Sequence, residues 1–132
     1  MKLLVIAPVP VDAAALRAAM GDEVNGAEVQ VVAPASNASP LAFWVSDPDE
    51  AIGEAQEAQA KTVESLGQEG IEAKGDTGEG EPLVAIQDAL VTFPADKIVI
   101  FTRPDEESKY REDDVAGEAE RRFGRPVVQH SL

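Results

Sequence analysis

Cysteine is absent from the 132 residues of this chain, and histidine occurs once, at His130. The chain therefore has no disulfide bond, no thiol nucleophile and no thiolate metal site. Basic side chains are also scarce, because 11 lysines and arginines face 25 acids and leave a net charge of -14. This excess of negative charge repels polyanions, so we predict no nucleic-acid partner and no anionic membrane partner.

Long apolar runs are missing as well. The first one, residues 3–6, is far shorter than the roughly 20 residues of a membrane span and too short for a signal-peptide core. We therefore expect a cytoplasmic protein without membrane association. Hydrophobic residues nevertheless make up 44% of the chain, which is enough for one core, and we predict a single domain over residues 1–132.

Strand-like and helix-like segments alternate along the whole chain. Short apolar stretches predict strands at residues 3–6, 29–33, 71–74, 96–101 and 126–130. Apolar residues at helical spacing predict helices at residues 13–20, 48–66, 82–91 and 115–122. This alternation predicts an α/β fold: a three-layer α/β/α sandwich on a five-stranded parallel sheet, with right-handed crossovers.

Capping residues set the expected ends of these elements. Asp12 is the expected N-cap of the first helix, and Asp113 or Asp114 is that of the last one. Gly21 and Gly124 are expected to end the same two helices. The third strand is weak and alternating, which indicates a place near an edge of the sheet.

The carboxyl-terminal half contains motifs in a recognisable order: Pro-Leu-Val-Ala-Ile at residues 82–86, Ala-Asp-Lys-Ile-Val-Ile at 95–100, then a helix and Pro-Val-Val at 126–128. With Asp-Glu-Ala at 49–51, the chain resembles the universal stress protein family (UspA-like), and its actinobacterial-looking members in particular. The resemblance covers almost the whole chain. It implies a Rossmann-like sandwich of the adenine nucleotide alpha hydrolase type, the sheet order 3-2-1-4-5, a homodimer and, in one branch, ATP held between strands 1 and 4.

The chain departs from the ATP-holding branch at the residues that grip phosphate. That branch has Gly-x-x-Gly, nine further residues and then Gly-Ser or Gly-Thr; its glycines fall here on Phe101, Pro104 and Asp114. A loop one residue shorter moves the last position to Asp113. Glycine lets backbone amides approach phosphate oxygens, whereas Pro104 has no amide hydrogen and the acids repel the ligand. We therefore expect no tight ATP site and no cofactor.

The cleft between strands 1 and 4 is the candidate ligand site. Its expected rim consists of Ala7, Pro8, Thr102, Arg103 and Ser108. Where the family often has Asp-Gly-Ser after the first strand, this chain has Ala-Pro-Val-Pro-Val-Asp, so it departs from the family pattern in the loop that would contact an adenine or a ribose.

Two hypotheses about function follow from these features. The leading one is a non-catalytic, homodimeric stress-response or regulatory module, whose final strand lies at a sheet edge where a second copy pairs. The alternative is a sensor that holds ATP or AMP in the cleft, with Arg103 and Lys109 as the bases placed to meet a phosphate. A hydrolase or nucleotidyl transferase is disfavoured, because no nucleophile is paired with a base.

Three further features have both a structural and a functional interpretation. Gly75, Gly78 and Gly80 predict a flexible turn rather than an anion site, because acids surround them. His130 lacks the second imidazole or thiol of a catalytic or metal site, and we predict neither. The apolar residues in 41–45 either cover the domain's own sheet edge or contact a partner.

Overall fold

The computed structural model describes residues 1–24, 26–34, 48–78, 82–102 and 114–131. These residues include the strands β1 Lys2–Ile6, β2 Glu28–Pro34, β3 Glu72–Gly78, β4 Lys97–Thr102 and β5 Val127–Ser131. They also include the helices α1 Ala13–Met20, α2 Pro48–Gln68, α3 Pro82–Thr92 and α4 Val115–Phe123, with a 3₁₀ turn at Gly21–Val24. Every element predicted from the sequence is therefore present.

The five strands run parallel in the order β3-β2-β1-β4-β5, as the family resemblance implied. β1 lies in the centre, where Ile6 is opposite Val32 of β2 and Ile100 of β4. β3 and β5 form the two edges, which confirms the position predicted for each of them. Parallel strands require crossover connections, and the helices supply these on both faces of the sheet.

Alternate residues of β1 point to opposite faces of the sheet and contribute to two separate cores. Leu3 and Val5 pack with the side chains of α1 and α2. Leu4 and Ile6 pack with those of α3 and α4. All four side chains are at most 1% exposed. Because both faces are covered, β1 is an unbroken apolar run instead of an alternating one.

The prediction of a loop after the third strand is wrong for two of the three glycines in that segment. Gly75 and Gly78 belong to β3, which pairs with β2 along its whole length, and Gly80 lies outside the described residues. A Cβ atom at Gly75 would lie 2.9 Å from Val63 of α2, and one at Gly78 would lie 2.8 Å from Val32 of β2. These distances are too short for a side chain, so the glycines permit close packing on the sheet and form neither a flexible turn nor an anion site.

Capping residues determine where the first and last helices start and stop. Asp12 accepts a hydrogen bond from the N–H of Ala15 at 2.8 Å, which confirms it as the N-cap of α1. Gly21 ends α1 with a φ of 67°, and Gly124 ends α4 with a φ of 64°. Asp114 precedes α4 as predicted, but its side chain makes no capping hydrogen bond. Asp114 is therefore confirmed as the residue before α4. It makes no capping hydrogen bond because its left-handed backbone differs from the extended backbone of a usual N-cap.

Candidate functional site

The carboxyl ends of β1 and β4 mark the point where the order of the strands reverses. From β1 the chain continues to α1 on one face of the sheet, and from β4 it continues to α4 on the other face. The two connections diverge there, and open parallel sheets bind their ligands in the crevice that such a divergence leaves. This crevice, between the ends of β1 and β4, is the candidate site.

Three of the five predicted rim residues are described, and all three lie at this end of the sheet. Ala7 and Pro8 follow β1, and Thr102 is the last residue of β4. Arg103 and Ser108 lie outside the described residues, as do residues 41–45. The structure therefore brings together the apolar β1 side of the predicted rim and its Thr102 hydroxyl.

The β1 side of the crevice is held in place by hydrogen bonds. Ala7 is fully buried, and its N–H donates to the carbonyl of Val32 at 3.0 Å, which continues the β1–β2 pairing past the strand. Farther along, the N–H of Val11 donates to Oγ1 of Thr62 in α2 at 3.0 Å. The loop between β1 and α1 is thus attached to β2 at its start and to α2 near its end.

Thr102 is buried in the crevice with an unsatisfied hydroxyl. Its side chain is 1% exposed, and Oγ1 has no hydrogen-bond partner among the described residues. Ile100, two residues earlier, packs with α3 and α4, so alternation along the strand directs Thr102 to that same face. A buried hydroxyl without a partner costs about 1–3 kcal/mol. Such a group marks a place where a water molecule or a ligand atom completes the hydrogen bond.

The start of α4 carries two carboxylates, those of Asp114 and Glu118, and both are paired with Arg121. Asp114 adopts a φ of 48°, the left-handed backbone that glycine adopts freely, and its carboxylate lies 3.5 Å from a guanidinium nitrogen of Arg121. Gly117 leaves room for this carboxylate, because a Cβ there would lie 2.7 Å from Cγ of Asp114. In the first turn, a hydrogen bond from Arg121 at 3.1 Å holds the pKa of Glu118 below its usual value. An anion at this helix end therefore meets the carboxylates of Asp114 and Glu118.

His130 lies in β5 and contacts an aromatic ring. Its imidazole meets Phe101 edge to face, with the ring centroids 5.8 Å apart and the planes at 85°. Within the described ranges, no group of three or more His, Cys, Asp or Glu side chains could hold a metal ion. Among the helices that the structure describes, none is long and apolar enough to cross a membrane.

A second depression, of about 590 Å³, lies at the opposite end of the sheet. Lys2, Glu28, Glu72 and Asp96 are among the residues that line it. Asp96 already accepts a hydrogen bond from the N–H of Lys2 at 2.8 Å. Because ligands of open parallel sheets bind at the carboxyl ends of the strands, this amino-end depression is not the candidate site.

Thr62 makes a hydrogen bond to the loop beside the crevice that was not predicted from the sequence. Its helical spacing places it on the packed face of α2, and the structure confirms that it is 1% exposed. Its partner Val11, however, lies 51 residues away in the chain. The one available signal was the hydroxyl itself, since a hydroxyl on a core-facing position needs a hydrogen-bond partner.

The comparisons with known proteins agree with this architecture. No family model matches the chain, and no curated protein does. Among solved structures, the chain is similar to a universal stress protein from Archaeoglobus fulgidus, with 28% identity, a TM-score of 0.62, and coverage of 98% of this chain and 92% of that one. It is also similar to the universal stress protein from Archaeoglobus fulgidus in complex with dAMP, with 27% identity, a TM-score of 0.62, and coverage of 98% and 96%. The sheet order and these likenesses confirm the resemblance found in the sequence, which is to the universal stress protein family (UspA-like).

Proposed function

We propose that the protein is a non-catalytic, cytoplasmic stress-response or regulatory module that works as a homodimer and does not bind ATP tightly. Its likeness to universal stress proteins supports the stress-response role. The single observation behind the weak binding of ATP is the Asp114 carboxylate at the start of α4.

Asp114 is, with Asp113, one of the two residues at which the resemblance places the third glycine of the ATP-holding branch. The backbone there has the left-handed φ of 48°, but the side chain adds a charge that glycine lacks. Glu118 adds a second charge in the first turn of the same helix. Each close, water-screened pair of like charges costs on the order of 1 kcal/mol. The helix dipole favours an anion at the start of α4, and these carboxylates oppose the binding of a polyphosphate there.

Phe101, at the first glycine position, supports the same proposal. Its backbone belongs to the sheet, opposite His130 of β5. Its side chain is 1% exposed and packs in the core on the α1 side. A residue that is paired in a strand and fills the core does not form an open loop around a phosphate.

Titration with ATP and magnesium, followed by calorimetry and by NMR chemical shifts, tests this part of the proposal. We expect binding no tighter than millimolar. Asp114→Asn removes the charge with a residue that also tolerates the left-handed backbone, and it should tighten binding about fivefold, as loss of one screened repulsion implies. Asp22→Asn, at an exposed acid of the 3₁₀ turn, is the control and should change nothing. Micromolar affinity of the unmodified protein would contradict the proposal.

A non-catalytic role is supported by the environments of the candidate groups. Thr102 has an unpartnered hydroxyl, and His130 packs against an aromatic ring, so neither is paired with an activating group among the described residues. Acid–base and nucleophilic catalysis require such pairing. Long incubation with nucleotides, followed by chromatography, should show no turnover above the buffer control. Hydrolysis that is lost in Thr102→Val would contradict this expectation.

The homodimer part of the proposal is supported by a difference between the two sheet edges. β3 carries the charged residues Glu72, Lys74 and Asp76, whereas β5 carries none between Val127 and Ser131. Charged side chains on an edge strand discourage the addition of another strand. We therefore assign the dimer contact to β5, where a second copy adds its own β5 across a two-fold axis.

The backbone direction of β5 provides a sharp test of this contact. The carbonyl of Pro126 accepts from Ile98 of β4, while the N–H of Val127 donates to the Glu120 side chain. In a parallel pair, alternate residues direct both backbone groups to the same neighbour, so Gln129 directs its N–H outwards, as Val127 does. Gln129→Pro removes that N–H without breaking a bond to β4.

Analytical ultracentrifugation of two variants measures the effect. Gln129→Pro should shift the protein from dimer to monomer, while Gln129→Ala, which keeps the N–H, should remain dimeric. Circular dichroism checks that both variants stay folded. A monomeric unmodified protein at micromolar concentration would contradict the homodimer, and a dimeric, folded Gln129→Pro would contradict its assignment to β5.

A second candidate function is a sensor that binds a nucleotide in the crevice with other groups than the missing glycines. The observation that favours it is the buried hydroxyl of Thr102 at the carboxyl end of β4, which has no hydrogen-bond partner among the residues that the structure describes. One similar structure is a complex with dAMP. Because Asp114 and Glu118 oppose extra phosphates, a monophosphate should bind better than ATP. A thermal-shift panel with adenosine, AMP, dAMP and ATP tests this order, and no shift at millimolar ligand would remove the candidate.

A further inference from the structure

Thr62 links helix α2 to the loop beside the crevice. Its hydroxyl donates to the carbonyl of Ala58 at 2.8 Å, one turn earlier in α2, and accepts from the N–H of Val11 at 3.0 Å. The first bond is the usual one for a threonine within a helix. The second joins two segments that are 51 residues apart in the chain. Thr62 thereby satisfies a buried amide that belongs to the crevice loop.

The loop between β1 and α1 contains Val11 and also Pro8, which belongs to the predicted rim. Val11 is 4% exposed, so bulk water does not reach the buried hydrogen bond that its N–H makes. Pro8 and Pro10 have no amide hydrogen, and their φ angles are restricted. A shift of Val11 therefore displaces a stiff segment, and that segment includes Pro8 at the predicted rim.

We propose that Thr62 is a positioning residue, which sets the β1 wall of the crevice by fixing the β1–α1 loop and thereby determines how tightly the crevice binds its ligand. This inference rests on the second candidate function, the binding of a nucleotide there. Without the Thr62 hydroxyl, the N–H of Val11 is buried and unsatisfied. The loop then moves until that N–H finds another acceptor, and the wall moves with it.

Three threonine variants separate this role from a general loss of stability. Thr62→Val keeps the shape and removes the hydroxyl, whereas Thr62→Ser keeps the hydroxyl. Thr92→Val is the control, because Thr92 makes the same kind of bond within a helix, to the carbonyl of Ala89 at 3.4 Å, at an exposed place. It lies where α3 ends, near the amino ends of the strands and away from the crevice.

The measurements are the affinity for dAMP, by calorimetry, and the exchange rate of the Val11 amide, by NMR. Thr62→Ser and Thr92→Val should stay within about twofold of the unmodified protein in both. Thr62→Val should bind dAMP about tenfold more weakly, and its Val11 amide should exchange at least about tenfold faster, as the loss of one buried hydrogen bond implies. Circular dichroism confirms the fold of each variant. If Thr62→Val does not fold, Thr62→Ala replaces it, since it also lacks the hydroxyl.

The outcomes distinguish this inference from the function on which it rests. An unmodified protein that binds no dAMP would overturn both. An unmodified protein that binds dAMP, together with a folded Thr62→Val that binds it equally well, would overturn the inference alone. A Val11 amide that exchanges at the unmodified rate in Thr62→Val would overturn it too, because the loop would then not depend on the hydroxyl.

Discussion

Replacing Thr102 by valine should stabilise the ligand-free protein. The hydroxyl of Thr102 is 1% exposed and has no hydrogen-bond partner among the described residues, so valine at this position loses no hydrogen bond to them. Burial of such a hydroxyl costs about 1–3 kcal/mol. Valine has nearly the same shape and no polar atom, so it avoids the cost. We expect the free energy of unfolding to rise by about 1 kcal/mol or more.

Urea denaturation of the Thr102→Val and Thr62→Val variants measures this effect against a matched control. Both positions are 1% exposed, but the Thr62 hydroxyl makes two hydrogen bonds. Thr62→Val leaves the Val11 N–H unsatisfied and should lower the free energy of unfolding by about 1–3 kcal/mol. The same chemical change thus has opposite signs at the two positions. With a slope of about 1–3 kcal/mol per molar urea, each change shifts the midpoint measurably.

Ligand reverses the sign at Thr102 if the hydroxyl belongs to a binding site. A ligand at 100 times its dissociation constant stabilises the protein that binds it by about 2.7 kcal/mol. Thr102→Val should lose much of that gain with dAMP, although it is the more stable protein without dAMP. A Thr102→Val variant that is less stable than the unmodified protein by about 1 kcal/mol without ligand would refute the reasoning, since the hydroxyl would then have a partner.

Two further predictions concern packing and charge. Gly75→Ala places a Cβ against the side chain of Gln59 and should lower the free energy of unfolding by about 1–3 kcal/mol. Gly53→Ala has nothing within 4 Å of its new Cβ and should raise the free energy of unfolding by up to about 1 kcal/mol, because alanine favours the helix. Urea denaturation compares the two variants, and equal effects would contradict the close approach at Gly75. Arg121→Leu removes both the N–H donor and the charge that lower the pKa of Glu118, so this pKa should rise in an NMR titration. Because the pKa is lowered in the folded protein, the stabilisation by this pair is present at neutral pH and is lost as the pH falls through the lowered pKa. An unchanged pKa would show that the hydrogen bond does not form in solution.

Local signals were sufficient to predict the elements. The apolar run of β1 indicates a strand buried on both faces, and Leu4 and Val5 indeed pack on opposite faces. Asp12 predicts the start of α1, because its carboxylate reaches an amide only three residues away. Each of these features depends on a few neighbouring residues, so it can be predicted from the sequence alone.

The failures concern residues whose role depends on distant neighbours. Gly75 and Gly78 are of a residue type that is common in turns. Here their lack of a side chain lets Val63 of α2 and Val32 of β2 pack closely against them. Asp114 is of a residue type that is common at N-caps, but its backbone is left-handed and its carboxylate lies beside Arg121. Short-range preference was outweighed at these positions by packing and by backbone geometry.

The amino-acid order alone determined the alternation of strands and helices, the ends of α1, the likeness to a family and the replacement of the phosphate-binding glycines. These depend on spacing and residue type, which act over a few residues. Only the tertiary structure decided that Thr102 is buried with no hydrogen-bond partner in the described part of the chain and that Thr62 holds Val11. The satisfaction of a buried polar group depends on which segments meet in space, and those segments lie far apart in the chain.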